Sequence, residues 1–366
     1  MATVAKLPPI HSTFAPMSAR RLLVLGGIAL VAGGMIFGDI FAVFILHQNA
    51  GQQGAALVAA NNAVASGDEA TVHKILNSLG GLLEDRGTKV DAHVHMIGAG
   101  YLALLLALVQ PFVVLAQGTK KVLAALFIAG AALLPIGIFL IHYVGLAHSP
   151  SAVIGWASIL ADFAGALLII VLVAEARGFR NYVRTRKFAE PALPEDEGWS
   201  RRALLTGGTL LVLLGFLHGA WYAGIYLYEH ERMETDILQN MITAAGANDL
   251  VTATDQVGNF GNLSGARAVN IAAHSHIIEF GLLAMLLSFV QPYVFLSEPW
   301  RRRWTQVLLA GSVVLPVFVL LELRFGLVAG GVADIGGLMV IVALIAMLVG
   351  VLRYTGTLDS PTGGAS

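Results

Sequence analysis

Residues 92–115 read AHVHMIGAGYLALLLALVQPFVVL, and residues 273–296 read AHSHIIEFGLLAMLLSFVQPYVFL. The two stretches lie 181 positions apart, and His93/His274, His95/His276, Gly100/Gly281, Gln110/Gln291 and Pro111/Pro292 coincide. Each opens on two histidines and runs on as an apolar segment. A helix needs about 20 such residues to cross a bilayer. The same offset pairs Arg86 with Arg267 and Pro135 with Pro316; further along it contracts to 172, where Ala161-Asp162 matches Ala333-Asp334 and Gly165 matches Gly337. The sequence thus reads as two diverged copies of one four-helix unit.

Outward from this pair, eight apolar runs are legible, at roughly 22–47, 92–117, 121–146, 152–175, 203–228, 269–296, 305–328 and 331–352. Composition agrees: of 366 residues, 57% are hydrophobic and 12% charged, too few charges to coat a water-facing surface. The expected fold is all-α, a polytopic membrane protein of eight transmembrane helices in two parallel four-helix repeats. Because each repeat has an even number of spans, both enter the membrane in the same direction.

Arginine and lysine set the orientation. Arg20 and Arg21, Lys120 and Lys121, the basic run from Arg177 to Arg202, Arg301 to Arg303, and Arg353 all fall on one side. That side is expected to be cytoplasmic, with both termini there, in a bacterial-type inner membrane. The organisation follows: a tail (1–21), a first repeat (22–177) with an outer loop at 48–90, a linker (178–202), a second repeat (203–353) with an outer loop at 229–267, and a second tail (354–366). Helical spacing at Val72, Ile75, Leu76, Leu79 and Leu83, and at Ile237, Leu238, Met241 and Ile242, predicts a short helical lid in each outer loop. Basic residues occur in short blocks between apolar runs, so the partner is the lipid bilayer and not nucleic acid.

The chain has no cysteine, which excludes disulfides, thiolate metal sites and a covalently attached c-type haem. It has 11 histidines, of which only His11 falls on the cytoplasmic side. Polar groups within a span are costly and tend to be functional. The candidate metal ligands are His47, His93, His95, His142, His218, His230, His274, His276, Glu279 and Glu322. Asp162 and Asp334 could orient ligand histidines by accepting their second N–H. Asp162 reads as the deeper of the two, and Asp334 as nearer the outer end of its span. Arg86, Arg267 and Arg324 are candidates to neutralise haem propionates. Residues two apart on a helix point about 200° away from each other. So in each His-x-His pair one ring faces the bundle core and the other a neighbour, unless the helix starts irregularly. His93 and Gly100, like His274 and Gly281, share a face; the glycine leaves room either for a flat macrocycle or for close packing of another helix.

In outline the chain resembles the haem A synthase family, which also has eight helices in two four-helix halves, histidine-ligated haem, and sizeable outer loops after the first helix of each half. The resemblance covers the layout and not the motifs. That family carries histidine on the fourth helix of each half, where this chain has Asp162 and Asp334. The family's glutamate before the second-helix histidine is also missing, Asp91 being the only acidic residue there. The resemblance therefore implies the architecture and not the haem A synthase activity.

The expected function is that of a membrane redox protein carrying haem b near the outer face. It would act in electron transfer or as a haem-dependent oxidoreductase, with a quinol or a redox protein as partner. Axial ligands would come from His93 or His95 with His47 or His142, and from His274 or His276 with His230 or His218. The alternatives are a non-haem Zn, Cu or Fe protein (an enzyme or a metal carrier), or a non-catalytic accessory subunit. The second copy is richer in ionisable groups, having His218, Glu279, Glu322 and Arg324, and is the better candidate if one half is active.

Overall fold

The computed structural model describes residues 17–147, 155–185 and 198–354. Among them the secondary structure is helical: α1 (Ala19–Phe41), α2 (His47–Ala65), α3 (Glu69–Val109), α4 (Gln117–Val144), α5 (Ala157–Thr185), α6 (Trp199–Trp221), α7 (Leu227–Gly246), α8 (Leu250–Val290), α9 (Glu298–Phe325) and α10 (Leu327–Arg353). Eight of these segments are long and apolar enough to cross a membrane. His148 and residues 186–197 of the predicted linker lie outside the described residues.

The predicted lids are not separate elements. α1 continues into α2, and α6 into α7, through one π-helical turn each, at Ala42–Leu46 and Tyr222–Tyr226. The chain then reverses sharply and descends as α3 or α8, each an unbroken helix of 41 residues. The reversals are chemically alike. Gly67 and Asn248 supply the positive φ that a tight turn requires. Asp68 and Asp249 then cap the descending helices, accepting from the amides of Thr71 and Thr252 at 3.0 and 3.1 Å. The Thr71 hydroxyl and amide hold the Asp68 carboxyl below its usual range, and Thr252 does the same for Asp249. Each half thus projects a helical hairpin beyond its bundle.

At the opposite end the Gln-Pro pairs explain themselves. Each begins a single 3-10 turn, Gln110–Phe112 or Gln291–Tyr293, that ends the long helix. The Gln110 carbonyl accepts from the Val113 amide and from the buried Lys120 Nζ at 2.9 Å, and that of Gln291 accepts from the Val294 amide and faces the Arg301 guanidinium at 3.5 Å. A cation here also complements the negative end of the helix dipole. The extended residues that follow are tied to the last helix of the half. The Val114 amide donates to the Gly178 carbonyl at 3.1 Å, and the Phe295 amide to that of Gly350 at 3.0 Å.

Gly100 and Gly281 are crossing points. A Cβ on Gly100 would lie 2.8 Å from the Gly27 carbonyl oxygen, and one on Gly281 would lie 2.7 Å from that of Gly208. These glycines bring α3 onto α1 and α8 onto α6 at backbone contact, the small-residue packing favoured in lipid. The space considered for a macrocycle is filled by a helix. Between the halves, α10 packs along α1, α2 meets α7 and α8, and α3 touches α8.

Candidate functional site

α3 and α8 are regular helices through their His-x-His motifs, so the paired rings diverge. His93 turns to α1 and its Nδ1–H donates to the Gly34 carbonyl at 2.7 Å. His274 turns to α6 and makes the same bond to Gly215 at 2.9 Å. Each ring lies on a second glycine one turn further along, Gly38 or Gly219, where a Cβ would come within 2.3 or 2.4 Å of the imidazole Cε1. The clasp therefore needs two glycines four apart on the receiving helix. The sequence shows them as Gly34/Gly38 and Gly215/Gly219, a repeated signal that the histidine count overlooked. A carbonyl can only accept, so Nδ1 carries the proton and Nε2 is left as the free lone pair of the neutral ring.

The other ring of each pair behaves differently. His95 is exposed, its Nδ1–H bonded to the Asp91 carbonyl of its own helix at 2.7 Å. His276 stacks on Phe280 at 5.7 Å and looks towards the first half, within electrostatic reach of His93. Glu279 faces the same seam, within reach of Tyr101 on α3.

In the second half His274 has a companion. The ring of His218 on α6 stands 6.1 Å from it, centroid to centroid, with the planes tilted by 34°. Both His218 ring nitrogens are shielded from solvent, and their one polar side-chain partner is Asn270, which approaches the ring loosely. Its neighbour Asn270 spends its amide on the Ala266 carbonyl at 2.9 Å. Beyond His218 rises a column of rings: Trp221 at 5.6 Å from His218, Tyr226 at 5.9 Å from Trp221, and His230 stacked on Tyr226 at 4.2 Å. The π turn lies inside this column, and such turns concentrate at functional sites. Arg267 closes the top, ion-paired with Glu234 and donating to the His230 carbonyl at 3.1 Å, while its Nε is buried and unused. His230, Tyr226, Asn259 and Asn262 also line a cavity of about 470 Å³ in the hairpin. At the positions matching His218, Trp221 and Tyr226, the first half has Phe37, Ile40 and Ile45. The aromatic column belongs to the second half, and only its histidines were foreseen.

Several expected ligands are placed elsewhere. His142 does not meet His93; its Nε2 lies 3.3 Å from Asp85 and its Nδ1 3.8 Å from Glu84, carboxylates on the hairpin part of α3. Lys89 shares Asp85 and leans on the Tyr143 ring at 5.4 Å. Glu322 sits against Gly330, 3.5 Å from where a Cβ would be, at the α9–α10 turn. Arg324 is exposed beside Phe325. Arg86 is part-buried on α3. The side chain of His47 lies outside the described residues. Among the described residues no three His, Asp or Glu side chains gather as a metal-binding group.

The aspartates reverse the expectation. Asp162, in the second turn of α5, is exposed, because no helix covers that face. Asp334 is half-buried on the α10–α1 seam, within electrostatic reach of Asp39, which the sequence reading did not single out.

Comparison with known proteins gives no family: no family model matches the chain, and neither a curated protein nor a solved structure matches it. The class defined by fold is that of an all-helical polytopic membrane protein.

Proposed function

We propose that the protein is a membrane redox protein whose second half binds haem b through His218 and His274. The observation that carries this reading is His218, a half-buried imidazole whose two solvent-shielded nitrogens have only the Asn270 side chain to share, so that at least one is left unpaired, beside a second imidazole whose ring is already oriented by a carbonyl. Unpaired buried polar groups cost about 1–3 kcal/mol each. A ligating histidine typically donates its other N–H to a carbonyl or carboxylate, as His274 does to Gly215. Haem brings four equatorial nitrogens of its own and asks the protein for two axial ligands. A structural zinc ion asks for four protein ligands. A two-histidine set therefore favours haem over a bare ion. Arg267, with one donor unused, is the cation suited to a propionate.

Bound haem would supply reversible one-electron transfer at its iron. The chain's own residues would fix the axial rings, exclude water with the Trp221–Tyr226 column, and neutralise charge at Arg267. The basic helix ends lie opposite the hairpins, so the positive-inside rule puts the site near the outer face. His93 makes the same clasp with Phe37 in place of a second histidine. In the first half the clasp thus serves packing alone.

The test is the optical spectrum of protein purified in mild detergent from haem-supplemented cells. The reading expects a Soret band that His218→Ala and His274→Ala abolish and His93→Ala retains. Colourless protein that also fails to take up added haemin would overturn it.

A further inference from the structure

α5 and α10 hold equivalent places in their halves, each tied through a glycine carbonyl, Gly178 or Gly350, to the segment after the 3-10 turn. Their outer faces are treated differently. α10 lies on α1, where the Asp39 carboxylate comes within 3.0 Å of the Cβ position of Gly337, and Arg21 donates to the Leu352 carbonyl at 3.3 Å. The matching face of α5 carries Gly165 and Asp162. There, a Cβ on Gly165 would meet nothing within 4 Å, and Asp162 lines an open groove of about 550 Å³ along α4 and α5. α6, the counterpart of α1, is open as well: α5 makes no comparable packing against it. Within the spans, 22% of α5 and 24% of α6 is buried, against 50% of α10 and 39% of α1.

A carboxyl on an otherwise bare face of a membrane helix is expensive, and such residues almost always face protein. Lipid is therefore a poor occupant for the Asp162 groove. The chain itself contains the matching surface. The α10–α1 seam shows what kind of helix a face of the Asp-x-x-Gly type receives, and α6 is the remaining helix of that kind.

We propose that two copies assemble about a two-fold axis along the membrane normal, α5 of each packing on α6 of the other and repeating the α10–α1 seam. Two identical seams form, and no α5 or α6 face is left over, so the assembly closes as a dimer and does not grow into a filament. By the register of the repeat, Gly165 then comes to the level of position 220 on α6 of the partner subunit, as Gly337 comes to that of Asp39 within one chain.

The natural lack of cysteine makes the test clean. Full-length protein carrying Gly165→Cys and Ala220→Cys is oxidised in native membranes and run without reductant. The expected result is a band at twice the monomer mass that reductant reverses. The pair Gly337→Cys with Asp39→Cys should instead close within one chain and leave the mass unchanged. Light scattering in mild detergent should give a dimer for the natural chain. Gly165→Trp should give a folded monomer, since the added ring has open space in the single chain. Three results would overturn the proposal: a natural chain that is monomeric by scattering, dimers formed by Gly165→Cys alone (an α5–α5 contact), or cross-linking of α5 to a different protein.

Discussion

Gly219→Ala tests the histidine clasp without touching a ligand. The new methyl would lie 2.4 Å from His274 Cε1, and ordinary contact begins at 3.4 Å, so the ring must retreat by about 1 Å. The Nδ1 bond to Gly215, 2.9 Å long, cannot survive a displacement of that size away from α6. Two effects on stability oppose each other. Overpacking costs about 1–3 kcal/mol, and replacing glycine inside a helix returns about 1 kcal/mol. The net loss should be small, and the protein should still fold. Haem binding should suffer more: removing the support of a ligating histidine typically costs about 10–100-fold in affinity, or about 1.4–2.7 kcal/mol. The assay is a haem titration of purified protein followed by absorbance, with thermal unfolding of the haem-free protein in parallel. Gly38→Ala is the control, because its methyl meets His93 at 2.3 Å. It should change stability to a similar extent and leave haem affinity alone. Natural affinity in Gly219→Ala would refute the claim that the clasp orients a ligand. An equal loss in Gly38→Ala would refute the assignment to the second half.

Other outcomes are expected as well. His142→Gln and His95→Gln should leave the haem spectrum unchanged, since one ring faces Asp85 and the other is bonded to its own helix; a lost Soret band in either would count against the two-ligand site. Lys120→Met should lower stability by about 1.5–3 kcal/mol, read as a drop in melting temperature in detergent, because it removes a buried charge-assisted hydrogen bond and leaves the Gln110 carbonyl with the Val113 amide alone. The hairpin tips should loosen in acid. The Asp68 and Asp249 carboxyls titrate below their usual range, so the stability they lend is present above the unfolded value, near pH 4, and is lost as pH falls through the lower folded value. Hydrogen exchange at the tips, corrected for intrinsic rate, should quicken towards pH 3, and Asp68→Asn with Asp249→Asn should abolish that dependence while keeping the caps.

The spans were legible because they rest on local pattern, an apolar run of fixed length, and the self-match at a fixed offset is a property of the sequence itself. The hairpins were only half legible. Residues such as Glu229, Glu231 and Glu234 carry no membrane signal, so polarity read as loop although α7 continues as helix. Which histidines meet was not legible from composition, because it depends on how α6 and α8 rotate about one another. The spacing that fixes this rotation, Gly215/Gly219 below His274, was present but is a property of the receiving helix. Asp162 and Asp334 show the same limit. They match in the repeat, yet one is exposed and the other half-buried, since burial depends on a neighbour that only α10 has.

The long helices carry a mechanical consequence. At about 1.5 Å per residue, the 41 residues of α8 make a rod of roughly 60 Å, twice the thickness of the hydrocarbon layer. Its tip and the turn that bears His274 belong to one stiff lever with no joint between them. The partner limb of the hairpin does have a joint, the π turn at Tyr222–Tyr226, next to His218. A sideways push on the hairpin tip is therefore taken up by bending one limb and swinging the other. The two imidazoles stand on opposite limbs, so force applied far above the membrane is converted into a change in the distance between them.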